Sequence, residues 1–125
     1  MERINTLLKD QMLFSRYVVS LLSFAHSKGY EVTIKECLRT KEQQSIYFRE
    51  RKTKTMDSLH MRSLAIDLCF FKDEQWLTTY VQLKELGNYW QGLDLACRWG
   101  GDWNRAGSQA DFYDAIHFEL NTNWG

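Results

Sequence analysis

The sequence predicts an α+β domain in which helices pack on a small antiparallel sheet. Apolar residues recur every three or four positions across residues 4–27, as they do on one face of a long helix. Tyr30, Val32 and Ile34 alternate with polar residues, which is typical of a half-buried strand. The apolar run LAIDLCFF at residues 64–71 indicates a second strand. Because helices and strands are segregated along the chain, α+β is favoured over a wound parallel sheet.

The remaining elements follow from local signals. Gly29 is a natural stop for the first helix. Thr40-Lys41-Glu42-Gln43 has the form of a capping box and predicts a helix from Lys41 to about Glu50. We also expect a turn at 72–75 that returns through Trp76 and Leu77, a helix from Thr79 to about Gln91 with Leu83, Leu86 and Trp90 inward, and a closing strand around Ala115–Leu120.

Size and charge narrow the class of protein. The 125 residues predict one domain over 1–125, and sixteen basic residues balance sixteen acidic ones, so bulk charge indicates no nucleic-acid partner. The opening MERINTLLKD has neither a signal-peptide pattern nor a membrane span, so we expect synthesis in the cytosol without membrane insertion. The three cysteines form no C-x-x-C pair and are expected to be reduced.

Asp67 is the most informative acid because it lies between Ile66 and Leu68 in the apolar run. An unpaired carboxylate there costs several kcal/mol or takes up a proton. Three partners could compensate the buried charge of Asp67: a structural arginine, backbone hydrogen-bond donors or a metal ion. On a strand, Asp67 shares its face with the small residues Ala65 and Cys69, which leave room beside the carboxylate.

The histidines provide partners for this acid. His26 lies near the end of the first helix and is expected to be structural. His60 lies upstream of Asp67, and His117 follows Asp114 by three residues. Two imidazoles and one carboxylate form a ligand set that leaves a fourth position on zinc for water, and Asp114 is the candidate to accept the proton of that water. A hydrogen-bonded Asp–His pair without metal explains the same residues, so both interpretations stay open.

Four segments, taken together and in order, resemble the VanY-like peptidoglycan peptidases. They are Ser58-Leu59-His60, Leu64–Leu68, Trp99-Gly100-Gly101-Asp102-Trp103 and Asp114–Glu119, with Arg39-Thr40 resembling the family's Arg-Thr segment upstream. This family contains D-Ala-D-Ala carboxypeptidases and phage L-alanyl-D-glutamate endopeptidases, and it shares its fold with the hedgehog signalling domain. The Asp-x-x-His form is similar to that of the phage endopeptidases.

The resemblance implies one zinc ion per chain, held by His60, Asp67 and His117, with Asp114 as general base. It implies that Arg39 faces the substrate, although a surface arginine paired with Glu36 or Glu42 is the alternative. Ser58 is expected to support His60 at the substrate side, or merely to cap a loop. Trp99 and Trp103 are expected to line the substrate groove, with core packing as the alternative.

Two features depart from the family or stay ambiguous. The family usually has glycine three residues after the first histidine, where this chain has Ser63, so the local backbone is expected to differ. The basic run containing Arg49, Arg51, Lys52 and Lys54 predicts either a solvated loop or a lid that attracts anionic cell-wall polymer.

The resemblance leaves three functions to distinguish. The first is a phage or prophage lysin that cuts the L-alanyl-D-glutamate bond of the peptidoglycan stem peptide after release from the cytosol. The second is a D-Ala-D-Ala carboxypeptidase or dipeptidase, and the third is a catalytically silent binding domain on the same fold. For each we expect a monomer without a separate cell-wall-binding domain.

Overall fold

A computed structural model describes residues 5–51, 58–103 and 114–122, and within these ranges the chain folds into helices beside one antiparallel sheet. The α+β prediction is therefore confirmed. The elements in chain order are α1 (Thr6–Ser27), β1 (Glu31–Glu36), α2 (Lys41–Arg49), a 3-10 helix (Leu59–Arg62), β2 (Ala65–Lys72), β3 (Gln75–Leu77), α3 (Tyr80–Leu93), β4 (Cys97–Trp99) and β5 (His117–Leu120).

The sheet has the order β1-β2-β5-β4, and β3 pairs with the end of β2 as a hairpin. All pairings are antiparallel. Asp67 on β2 is opposite His117 on β5, and on its other side it is opposite Glu36 on β1. The register thus places Asp67 between Glu36 on β1 and His117 on β5.

The core lies under the other face of β2. Leu64, Ile66, Leu68 and Phe70 are all buried there, as the alternation along the strand predicts. Helices α1 and α3 cover this face, and Leu83, Leu86 and Trp90 of α3 are fully buried, as predicted. The ring of Trp90 contacts Phe14 and Phe118 edge to face, at centroid distances of 5.8 and 5.9 Å.

Strand β1 departs from the predicted alternation. Val32 is partly buried, but 63% of Ile34 is exposed, so the inward placement of Ile34 is wrong. The register with β2 shifts between Ile34 and Glu36, which is the signature of a bulge. As a result, Glu36 becomes the partner of Asp67. Strand β4 is a further element that the sequence did not predict.

Ser63 has a left-handed backbone conformation at the end of the 3-10 helix. Its φ of 54° and ψ of 39° are left-handed, and its amide donates to the carbonyl of His60 at 3.3 Å. A left-handed conformation costs a non-glycine residue about 1–2 kcal/mol. A left-handed position is one that glycine occupies without this cost, which fits the family's preference for glycine here, and the expected difference in local backbone stays a prediction.

Some predictions fall outside the described residues. Two of the four basic residues of the run, Lys52 and Lys54, lie in the undescribed range 52–57, while Arg49 ends α2 and Arg51 is exposed. None of the described helices has the length and apolar character needed to cross a membrane.

Candidate metal centre

Three side chains from separate elements converge beside the sheet. The 3-10 helix carries His60, which is 1% exposed, and the hydroxyl of Ser58 caps that helix by accepting from the His60 amide at 3.2 Å. The β2–β5 register sets Asp67 beside His117, and both are buried. Among the described residues, these three form the one group whose ligand atoms are placed to hold a metal ion together.

The three inward atoms form a nearly equilateral triangle. His60 Nε2 lies 3.1 Å from Asp67 Oδ1 and 3.1 Å from His117 Nδ1, and His117 Nδ1 lies 3.2 Å from Asp67 Oδ1. With metal–ligand distances of 2.0–2.1 Å, a tetrahedral zinc site has ligand separations of about 3.3 Å. The triangle therefore matches one face of such a site.

In each ring, the outer nitrogen points away from the cluster, and its hydrogen bond determines whether the inner nitrogen carries a lone pair or a proton. His60 Nδ1 lies 2.9 Å from the carbonyl oxygen of Cys37, which can only accept, so this nitrogen carries the proton. His117 Nε2 lies 2.7 Å from Oε1 of Glu119 and donates to that carboxylate. When both rings are neutral, two nitrogen lone pairs and a carboxylate oxygen face one another within about 3 Å. Such an arrangement is stable only when a metal ion or a proton lies among the three atoms.

The electrostatics of the cluster agree with this requirement. Burial on its own raises the pKa of Asp67, but when the inward ring nitrogens carry protons, their hydrogen bonds from His117 and His60 outweigh it and hold that pKa well below its usual range. Burial lowers the pKa of His117, yet hydrogen bonds with Asp67 and Glu119 outweigh it and raise that pKa to about 10. The carboxylates thus stabilise positive charge at the centre of the site.

Asp114 is held next to the cluster by backbone hydrogen bonds. Its amide donates to the carbonyl of Gly100 at 2.9 Å, its carbonyl accepts from the amide of His117 at 3.1 Å, and the Gly100 amide donates to the His117 carbonyl at 2.8 Å. Burial raises the pKa of Asp114, and its carboxyl also interacts electrostatically with His117, Asp67 and His60. The loop and β5 therefore position the predicted base and a predicted ligand together.

Arg39 lies at the edge of the cluster. Its Nη2 is 3.9 Å from Oδ2 of Asp67, the carboxylate oxygen that faces away from the imidazoles. The guanidinium also donates to Glu36 through Nε at 2.6 Å and to Gln44 Oε1 through Nη1 at 2.7 Å, and it covers the ring of Tyr47. The pair with Glu36 exists, as one alternative predicted, but the Arg39 side chain is only 9% exposed and is no surface arginine.

The two predicted groove tryptophans differ in position. Trp99 is fully buried, its indole donates to the carbonyl of Ala115 at 2.8 Å, and its ring stacks on Tyr80. It is a core residue rather than a groove residue, which was the alternative. Trp103 lies with its ring centroid 5.2 Å from that of His117, and its buried indole N–H has no hydrogen-bond partner among the described residues. Trp103 therefore stays a prediction for substrate contact.

Sequence reasoning assigned no role to the buried Gln44, and it named the buried Glu119 only as the next candidate for proton acceptor after Asp114. Gln44 on α2 is fully buried and accepts from Arg39, and no pattern in the sequence distinguishes it from its neighbour Gln43. Glu119 is 7% exposed and bonds to the outer nitrogen of His117. Residues two apart on a strand share a face, so the predicted closing strand did carry the signal for this pair.

The family of the chain follows from a sequence match. The family model described as phage L-alanyl-D-glutamate peptidase matches residues 10–121, which include the whole cluster. The chain belongs to this family. The resemblance found in the sequence is thereby confirmed, and the phage L-alanyl-D-glutamate peptidase family supplies the context for the triangle of ligand atoms.

A curated relative adds to this assignment. The L-alanyl-D-glutamate peptidase of Listeria phage A118 is 33% identical over 103 residues; the match covers 81% of this chain but only 34% of that protein. The chain thus spans about a third of the length of the curated relative that it matches.

The solved structures are similar in fold. The L-Ala D-Glu endopeptidase ChiX of Serratia marcescens aligns with a TM-score of 0.69 at 18% identity, over 88% of this chain and 79% of that one. The vancomycin-resistance D,D-pentapeptidase VanY, solved with Zn(II), aligns with a TM-score of 0.53 at 18% identity over 86% of this chain and 70% of that one. VanYB in complex with D-alanine-D-alanine aligns with a TM-score of 0.54 at 19% identity, over 86% and 68%.

Proposed function

We propose that this chain is a zinc-dependent peptidase that hydrolyses the L-alanyl-D-glutamate bond of the peptidoglycan stem peptide. The observation that carries the proposal is the triangle of His60 Nε2, Asp67 Oδ1 and His117 Nδ1, whose sides are 3.1–3.2 Å. Its three lone pairs need a metal ion or a proton among them, and its dimensions suit zinc. The name of the matched family and the Zn(II) in the VanY structure support the same reading.

The donor set fits zinc better than the other common divalent ions. Two imidazoles and one carboxylate match its borderline softness, whereas magnesium and calcium prefer oxygen ligands alone. Three protein ligands leave one position open, as in catalytic rather than structural sites. When bound, zinc supplies a Lewis acid that makes water a stronger acid and polarises a carbonyl group.

The surrounding residues then have separate tasks. Asp114 accepts a proton from the attacking water and returns it to the leaving amine, and a carboxyl with a raised pKa suits this exchange. Arg39 provides a fixed positive charge beside Asp67 for an anionic group of the peptide or for its carbonyl oxygen. The Nε of Arg39 donates to Glu36, so Arg39 can bind the substrate through Nε only if this hydrogen bond breaks.

The choice of bond rests on the family and on one feature of the substrate. D-glutamate keeps a free α-carboxylate within the stem peptide because the chain continues through its γ-carboxyl. The guanidinium of Arg39 is the cation nearest Asp67 that the described contacts show, and arginine binds planar carboxylates well. All the proposed site residues come from one chain, so a monomer suffices. We propose that it acts on the cell wall after release from the cytosol.

Digestion of purified cell wall by the zinc-loaded protein tests this function. We expect new amino termini on D-glutamate, with L-alanine left on the lactyl group, as read by amino-terminal labelling and mass analysis. The same protein after chelation, and a His117→Ala variant, should give no new termini. Release of D-alanine alone would instead favour the carboxypeptidase, and wall binding without any cleavage would favour a silent binding domain.

A further inference from the structure

The Glu119 side chain lies behind His117, on the side away from the cluster. We propose that Glu119 is a positioning residue that fixes the rotation and tautomer of His117, so that Nδ1 and not Nε2 faces the metal. This inference rests on the proposed zinc site and adds to it the residue that prepares one of its ligands.

The contact is short and protected from water. Glu119 Oε1 lies 2.7 Å from His117 Nε2, and both side chains are 9% exposed. That distance is typical of a charge-assisted hydrogen bond. Since a carboxylate oxygen accepts, Nε2 holds the proton and Nδ1 keeps its lone pair for the inward side. Strand β5 enforces the arrangement because its residues 117 and 119 project from the same face.

A second charge supports the carboxylate from behind. Arg98 on β4 lies opposite Glu119 in the β4–β5 register, and its Nη1 is 3.8 Å from Oε2. Its Nη2 donates to the carbonyl of Trp103 at 3.0 Å, and its guanidinium covers the Trp103 ring at 5.3 Å. A buried carboxylate is costly unless it is paired, and here it is bonded on one oxygen and faces a cation on the other.

The two imidazoles are therefore fixed in different ways. The outer nitrogen of His60 bonds to the carbonyl of Cys37, so backbone holds that ring with Nε2 inward. The outer nitrogen of His117 bonds to a side chain, so substitution at 119 can release that ring. The same bond keeps the Glu119 carboxylate away from the inner atoms, so Glu119 is not a substitute for Asp114 as proton acceptor.

Zinc affinity of variants tests the proposal. Glu119→Leu keeps a similar size but removes the acceptor, and we expect its zinc dissociation constant to rise about 10–100-fold, the usual effect of losing a partner behind a ligand. Glu119→Gln keeps an acceptor oxygen, and its rise should be clearly smaller. Glu85→Leu is the matched control, because Glu85 also accepts a hydrogen bond, from Tyr30, but lies on α3. Its dissociation constant should stay within about twofold of wild type, as for a surface change.

Competition with a chromogenic chelator measures these constants, and thermal melting of the chelated variants confirms that they fold. If wild type binds zinc and Glu119→Leu binds it equally tightly, the inference is wrong while the proposed function stands. If wild type takes up no zinc, the proposed function falls and the inference falls with it.

Nitrogen-15 spectroscopy of the wild-type imidazoles decides the point even if Glu119→Leu does not fold. In the zinc-loaded protein, His117 should show a metal-shifted Nδ1 and a protonated Nε2, and His60 the reverse. A metal-shifted Nε2 on His117 would overturn the inference, since a nitrogen bound to Glu119 cannot face the metal.

Discussion

Two regions of the site, strand β2 with Asp67 and the turn before β5 with Asp114, each place a carboxyl group near the same histidines but differ in the groups around that carboxyl. Asp67 lies on β2 between two paired strands, with imidazoles against one carboxylate oxygen and Arg39 near the other. Asp114 lies in the turn before β5, where its backbone is bonded but burial dominates its carboxyl. The pKa of Asp67 is therefore held below its usual range, and that of Asp114 is raised.

This difference assigns separate chemistry to two identical side chains. An acid that stays ionised at every physiological pH suits a metal ligand, since a ligand must be deprotonated. An acid with a raised pKa suits proton exchange near neutral pH. Environments that shift the pKa values of two carboxyl groups in opposite directions are typical of catalytic sites. The same Asp→Asn change at both positions should therefore have different results.

Asp67→Asn should have the largest effect. The amide removes the negative charge that balances the cation, so we expect zinc affinity to fall by more than about 100-fold, beyond the range for a residue that only supports a ligand. Activity on cell wall should fall to the level of a blank. Elemental analysis after dialysis measures the metal, and full zinc occupancy in this variant would remove Asp67 from the ligand set.

Asp114→Asn should separate chemistry from metal binding. The amide cannot accept a proton, so we expect kcat to fall about 10²–10⁴-fold with near-normal zinc content and melting temperature. Asp73→Asn, in the exposed hairpin turn where a left-handed φ of 53° suits asparagine, is the control and should keep full activity. An Asp114→Asn enzyme of normal rate would mean that another group accepts the proton.

The response of stability to zinc and pH tests the charge of the cluster. Without zinc, the pKa of His117 is raised to about 10, so its protonated ring stabilises the fold. This contribution is complete below about pH 6.5 and is lost as the pH rises towards 10. The pKa of Asp67 is lowered, so its ionised carboxylate stabilises the fold fully above about pH 3.9 and less as the pH falls below that value. For these two groups, the chelated protein is most stable between about pH 4 and 6.5.

Zinc reverses this trend because it displaces the proton from His117. At about a thousand times its dissociation constant, zinc should stabilise the fold by about 4 kcal/mol. The increase in melting temperature on adding zinc should therefore be larger at pH 8.5 than at pH 6. An increase that is constant across this range would show that no proton leaves the site on binding.

How much of this site the sequence predicts depends on the kind of interaction involved. The cluster of His60, Asp67 and His117 with its neighbour Asp114 is predictable because a carboxylate in an apolar run and two histidines near acids are costly or unusual, and a family resemblance connects them. Gln44 and the contact between Glu119 and His117 were not predicted, because each residue is ordinary until α2 or the sheet brings it against a partner. The same holds for Ile34, whose alternation predicted burial although β1 contains a bulge.

The fold was easier to predict than its details. Helices α1 and α3 carry periodic apolar residues and clear caps, so Leu83, Leu86 and Trp90 were correctly placed in the core. Strand β4 has only three residues and is recognised by its pairing with β5, which is not a local property. Trp99 at its end was assigned equally to groove and core because burial depends on the packing of Gly87 and Tyr80 around it.

The smallest predicted effect concerns the glycine that positions Asp114. A Cβ on Gly100 would lie 2.0 Å from the Asp114 carbonyl oxygen, so Gly100→Ala must displace the backbone that holds both Asp114 and His117. We expect a loss of stability of about 1–3 kcal/mol, as for other overpacked sites. Gly92→Ala in α3 is the matched control, since its Cβ would meet nothing within 4 Å and helix propensity favours alanine by about 0.5–1 kcal/mol.

Urea unfolding of the zinc-loaded variants measures both changes. Gly100→Ala should unfold at lower urea than wild type, whereas Gly92→Ala should unfold at the same or slightly higher urea. Activity separates the two regions further, because a shifted turn misplaces Asp114 while Asp67 stays fixed between β1 and β5. Gly100→Ala should therefore lose more in kcat than in zinc affinity. Equal losses in both would show that the turn and the β2 strand respond as one unit.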